Sequence, residues 1–167
     1  YAGEEMGEAV LAEVREVIRQ SDELGRLEGV VGRAFEKSKK GEILEIARKI
    51  AKGEISPNIR WGQFDSEQIR GAFVRERDMI LIDSKIREKD RLQEVITEEI
   101  GHWLDNKVSG EIDSAGDEGR IFARALLSLS YSDGRDNTDR FAALRIDGQI
   151  VNAELSYTTE VEEPVRI

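Results

Sequence analysis

The sequence predicts an α+β fold, and three observations carry that prediction. Apolar residues recur at helical spacing through the first third of the chain. The middle carries two short apolar runs, Gly71 to Val74 and Met79 to Asp83, separated by four charged residues, which is the pattern of a β-hairpin. Near the end, Asp147-Gly148 stands between two strand-like segments, where Asp-Gly suits a type I′ turn.

The elements follow in order. Val10, Val14, Val17 and Ile18 define one face of a first helix. Ser21-Asp22 has N-cap chemistry for a second, which carries Leu24, Leu27, Val30, Val31, Ala34 and Phe35. Gly25, Gly29 and Gly32 either weaken that helix or mark close packing. After a break at Lys39-Lys40-Gly41, Ile43, Leu44, Ile46, Ala47 and Ile50 form a third helix ending near Gly53. Pro57 to Phe64 reads as irregular or strand-like, and then comes the hairpin, with Arg75 to Asp78 as its turn. A helix over about Arg91 to Asn106, a polar loop over Ser109 to Gly119, and an apolar helix with Ile121, Phe122, Ala125, Leu126 and Leu129 follow. Leu144 to Ile146 and Gln149 to Leu155 form the terminal hairpin. The expected organisation is a helical layer over 1–56, a core with the C-terminal hairpin over 57–157, and an acidic tail over 158–167.

Composition bounds the function. The chain has 167 residues, 36% of them charged, and a net charge of −10, which argues against a nucleic-acid or anionic-membrane surface. With no cysteine, disulfides and thiolate metal sites are excluded. No apolar run approaches the roughly 18 residues of a membrane span, and no signal peptide is visible. Because the chain starts at Tyr1, a fragment or processed product is expected.

The most informative stretch is Glu98-Glu99-Ile100-Gly101-His102-Trp103-Leu104-Asp105, which holds the only histidine. At about 100° per residue from Leu92, the residues Val95, Ile96, Ile100, Trp103 and Leu104 fall on one apolar arc, from roughly −60° to about +120°. Glu99 falls inside that arc, at roughly −20°, where an ionised carboxylate needs compensation. His102, Glu98 and Asp105 lie on the neighbouring edge. Residues four apart are one turn apart, so Glu98 and His102 can clamp one cation with Glu99 beside it. A cation held there lowers the pKa of water toward ~7, and an adjacent glutamate can act as general base. A second reading of the same residues has Glu98 solvated, Glu99 paired to an arginine and His102 hydrogen-bonded at the core edge.

Ile96 to Asp105 resembles the active-site helix of zincin metallopeptidases, nearest the HExGHxxD pattern of lethal-factor-like gluzincins. The hairpin resembles the zincin edge hairpin, and Asp113 to Ala123 resembles the second block of such enzymes. EEIGHxxD followed by GDEGxxFA is similar to a bacterial domain family found beside RTX-type calcium repeats in large exported proteins. The likeness covers roughly residues 60 to 130. It implies a zincin-like fold, with N-terminal helices on a small mixed sheet, an active-site helix and a C-terminal β-hairpin.

It also implies metal-dependent peptide-bond hydrolysis in an exported bacterial protein or a fragment of one, as an effector, toxin-like or surface protease. Glu98, His102 and Glu118 would hold the metal and Glu99 would be the base. An extended peptide or protein substrate would add to an edge strand, near Phe73 or Ile80. No nucleic-acid or membrane partner is expected. Glu98 stands where zincins carry histidine, which makes the site more anionic and suits Zn²⁺ while tolerating Mn²⁺ or another divalent cation. The same substitution can mark a catalytically silent binding or structural module.

Accessory residues carry paired readings. Asp105 can orient the His102 ring or be a solvated residue near the helix end. Tyr131 or Tyr157 can stabilise an oxyanion or simply pack. Asp113, Asp117 and Glu118 can form a calcium loop, although they do not match the EF-hand pattern. Trp61 can line a substrate groove or pack under a loop. A serine hydrolase is poorly supported, since no Gly-x-Ser-x-Gly elbow exists.

Overall fold

A computed structural model describes residues 2–64, 68–109, 118–128, 141–146 and 149–157. It is an α+β structure with three N-terminal helices, α1 (Ala2–Glu23), α2 (Leu27–Ala34) and α3 (Lys40–Ala51). Strands β1 (Asn58–Gly62), β2 (Ile69–Val74) and β3 (Met79–Asp83) follow. Then come α4 (Lys89–Ser109), α5 (Glu118–Leu126), β4 (Phe141–Ile146) and β5 (Gln149–Tyr157).

The predicted apolar face of α1 is buried, with Val10, Val14 and Ile18 at 0% exposure. Its end corrects the sequence reading. Ser21 and Asp22 do not cap α2; they are the last turn of α1. Their carbonyls accept the closing bonds of a Schellman motif, from Arg26 N–H at 2.8 Å and Gly25 N–H at 3.1 Å. Gly25 takes the left-handed conformation that the motif needs, with φ of 75°. The physical reason is tertiary: Ser21 is buried, and Asp22 forms an ion pair with Arg48 of α3 at 3.1 Å. Leu24, expected in the core, is 74% exposed in the resulting turn. Gly29 and Gly32 face outward on α2 and mark no tight contact. The same closing motif ends α3 at Gly53, as the sequence reading placed it.

The five strands form one mixed sheet in the order β1-β3-β2-β5-β4. β1 runs parallel to β3, and the other neighbours are antiparallel. The predicted hairpin forms with Phe73 opposite Ile80 and Val74 opposite Met79, closed by a short 3₁₀ turn and Asp78 at φ of 50°. The terminal hairpin pairs Leu144 with Val151; its expected Asp147-Gly148 turn lies outside the described residues. Side chains alternate across the sheet. Phe73, Ile80 and Ile82 face the helices, whereas Ala72, Val74 and Met79 join Val151, Ala153 and Leu155 in a second apolar cluster.

α4 is the layer against the sheet, packing on β2, β3 and β5, with α5 beside it. The N-terminal helices reach the sheet chiefly through these two, since α1 and α3 pack on α4 and α2 packs on α5. One apolar cluster runs from Val10 to Leu126 through all five helices, so residues on both sides of position 57 share a core. Trp61 belongs to that packing. Its indole lies where a side chain on Gly7 of α1 would stand, which favours the packing role over a groove-lining one. Among the described residues, no helix is long and apolar enough to cross a membrane.

The hairpin was expected to lie at a sheet edge, and it does not. The strands that carry Phe73 and Ile80 are not at an edge, because β3 is covered by β1 and β2 by β5. The hairpin signal is local, whereas the pairings that cover it come from residues 58–62 and 149–157.

Candidate metal centre

The centre is built on α4. Leu92, Ile96, Ile100, Trp103 and Leu104 are each at most 2% exposed, which reproduces the predicted apolar arc. Burying each such side chain stabilises the fold by about 1.5–3 kcal/mol, and this fixes the rotation of α4 about its axis. That rotation carries Glu99 to 0% exposure and His102 to 3%, while Glu98 stays half-buried on the open side.

Glu98, Glu99 and His102 each offer one ligand atom, and the three atoms all lie within 4.8 Å of one another. Donors about 2.0–2.2 Å from a shared ion in a tetrahedron stand roughly 3.4 Å apart, so small rotamer changes close this group on a cation. Two carboxylates this near each other repel when both are ionised, and a bound cation relieves that repulsion. The donor chemistry therefore fits a divalent cation that accepts oxygen and imidazole ligands.

Three glycines shape the surroundings. A Cβ on Gly101 would lie 2.6 Å from the Cα of Gly119, so α4 and α5 cross backbone to backbone. A Cβ on Gly119 would lie 2.8 Å from both Nε2 and Cδ2 of His102, so the first turn of α5 rests against the imidazole. A Cβ on Gly71 of β2 would lie 3.2 Å from Oε2 of Glu99. Sequence reasoning missed all three. The available signals were one glycine inside a strand and two inside helices, positions that mark close approach.

Glu118 is the first residue of α5, 3% exposed and adjacent to the glycine that touches His102. It does not belong to the group of three whose ligand atoms lie within 4.8 Å. Asp105, one turn beyond His102, is 3% exposed. It accepts a hydrogen bond from Ser109 at 3.2 Å and lies 3.6 Å from Nζ of Lys39. Lys39 also donates to Ser109 at 2.5 Å, so this carboxylate ties α4 to the turn before α3. Trp103 is core, as predicted, with Nζ of Lys107 5.0 Å above its ring. Arg70 forms an ion pair with Asp83 at 3.1 Å.

Tyr131, Asp113 and Asp117 lie outside the described residues. Tyr157 is placed by its backbone, opposite Ile69 at the end of β5, and its side chain is likewise outside them. The expected oxyanion tyrosine and calcium loop thus have no described geometry. The chain matches no protein-family model, no curated protein and no solved structure, so the likeness to zincins rests on the residues themselves.

Proposed function

We propose that this chain is a metal-dependent hydrolase of peptide bonds. Glu98, His102 and Glu118 would hold a divalent cation, Zn²⁺ or Mn²⁺. Glu99 is the general base. The observation that carries the reading is the convergence of Glu98, Glu99 and His102 within 4.8 Å on a helix whose packing buries two of them.

The cation supplies Lewis acidity when bound. Glu99 takes a proton from the attacking water, whose oxygen bonds to the scissile carbonyl carbon. As the C–N bond breaks, Glu99 returns that proton to the leaving nitrogen. Its burial between helix and sheet excludes competing solvent. A substrate added as a strand would use β1 or β4, the outer strands of the described sheet.

The test is Glu99→Gln. The variant keeps its metal while hydrolysis of a labelled casein falls about 10²–10⁴-fold. Unchanged hydrolysis contradicts the assignment.

A second reading is a catalytically silent zincin-like binding or structural module. It is favoured by Glu118 standing outside the group of three and by the interior position of β2 and β3. Full Zn²⁺ loading of the native protein with no cleavage of casein selects it.

A further inference from the structure

We infer that Gly71 is a positioning residue for Glu99, setting where the buried carboxylate stands relative to Glu98 and His102; this rests on the hydrolase reading above. Gly71 occupies the middle strand of the sheet, paired with Ile82 of β3 on one side and Ser156 of β5 on the other. A glycine there weakens a strand, by roughly 0.5–1 kcal/mol relative to alanine, unless another group needs the space.

The space is used. With Phe73, Gly71 belongs to the strand face that meets α4. A Cβ at this position would lie 2.8 Å from Cγ1 of Val95, 3.2 Å from Oε2 of Glu99 and 3.3 Å from Cγ of Glu99. Val95 and Glu99 are one turn apart on α4, so one ridge of the helix rests on bare strand backbone. That backbone is paired with β3 on one side and with β5 on the other, where the register shifts between Ile69 and Gly71, so strand backbone forms the floor under the carboxylate. Glu98 and His102 each place a ligand atom within 4.8 Å of one on Glu99. An added methyl group forces the carboxylate away from the strand by a few tenths of an ångström, a small displacement of the one group whose placement sets proton transfer.

Gly71→Ala alone also strikes Val95, so packing and positioning must be separated. Val95→Ala removes the atom that is struck first and leaves the contact with Glu99. The comparison is therefore Val95→Ala against Gly71→Ala/Val95→Ala, in the full chain loaded with Co²⁺ as a visible probe of the ligand set. The double variant melts with Val95→Ala and binds Co²⁺ with the same affinity. Its kcat on labelled casein falls roughly tenfold with KM unchanged, and its Co²⁺ absorption changes with pH differently. Identical kcat and identical Co²⁺ spectra in the two variants overturn the role of Gly71 and leave the hydrolase reading intact. A native protein that takes up no Co²⁺ overturns both. If native protein binds Co²⁺ and leaves casein uncut, the spectra decide Gly71 and the hydrolase reading falls separately.

Discussion

Two successive stretches of α4 bury acidic side chains, and they compensate them differently. Around Asp105 the neighbours are a lysine ammonium at 3.6 Å and a serine hydroxyl at 3.2 Å. Asp83 follows the same rule, with Arg70 at 3.1 Å and the Lys85 N–H at 3.0 Å. Two turns before Asp105, a second carboxylate and an imidazole each bring an atom within 4.8 Å of one on Glu99. The first arrangement is a closed ion pair that holds the fold together. The second brings together three side chains that could ligate a cation. A buried acid by itself says little about function; the identity of the groups it is packed against separates the two cases.

The comparison can be broken most readily at Lys39. Lys39→Met removes the ammonium beside the buried Asp105 carboxylate. The expected loss is about 2–3 kcal/mol, below the usual cost of breaking a fully buried pair because Lys39 is partly exposed and Ser109 still donates. In a chain of this size it lowers Tm by roughly 5–10 °C. Added Zn²⁺ should raise the melting point of this variant and of the native protein equally. If Zn²⁺ rescues the variant selectively, the two stretches are one system and the distinction fails.

The smallest effect belongs to an exposed pair, which sharpens the contrast with buried ones. A hydrogen bond from Arg19, with a second from Gln20, holds the Glu16 carboxyl down to about 2 from 4.5. A depressed folded pKa contributes stability that is present above 4.5 and lost as pH falls through about 2. Glu16→Gln should lower the melting point slightly in the neutral range and flatten the acid limb, the two proteins converging as pH falls through about 2. A large loss at neutral pH contradicts a solvent-screened pair.

Much of this was legible in the sequence because it is local. The arc from Leu92 to Leu104 predicts the face of α4 and the burial of Glu99, since helical geometry alone relates those positions. The hairpin from Gly71 to Asp83 was legible from its two runs and charged turn. What was not legible depends on distant partners. Ser21 and Asp22 have cap chemistry in isolation, yet burial of Ser21 and the pairing of Asp22 with Arg48 extend α1 through them. The interior position of β2 requires β5, which pairs with it from more than 70 residues away. The contact of Gly119 with His102 follows from the crossing of α4 on α5, which no single-segment pattern contains.

The hydrolase reading requires Glu98 and His102 to hold a cation beside Glu99. Calorimetric titration of metal-free protein with Zn²⁺ tests it most directly, in the native chain and in Glu98→Ala and His102→Ala. A single site is predicted in the native protein, weakened at least about tenfold in each variant, since losing a ligand costs no less than losing a residue that only orients one. Equal Zn²⁺ affinity in all three proteins, or no uptake by the native chain, contradicts the account.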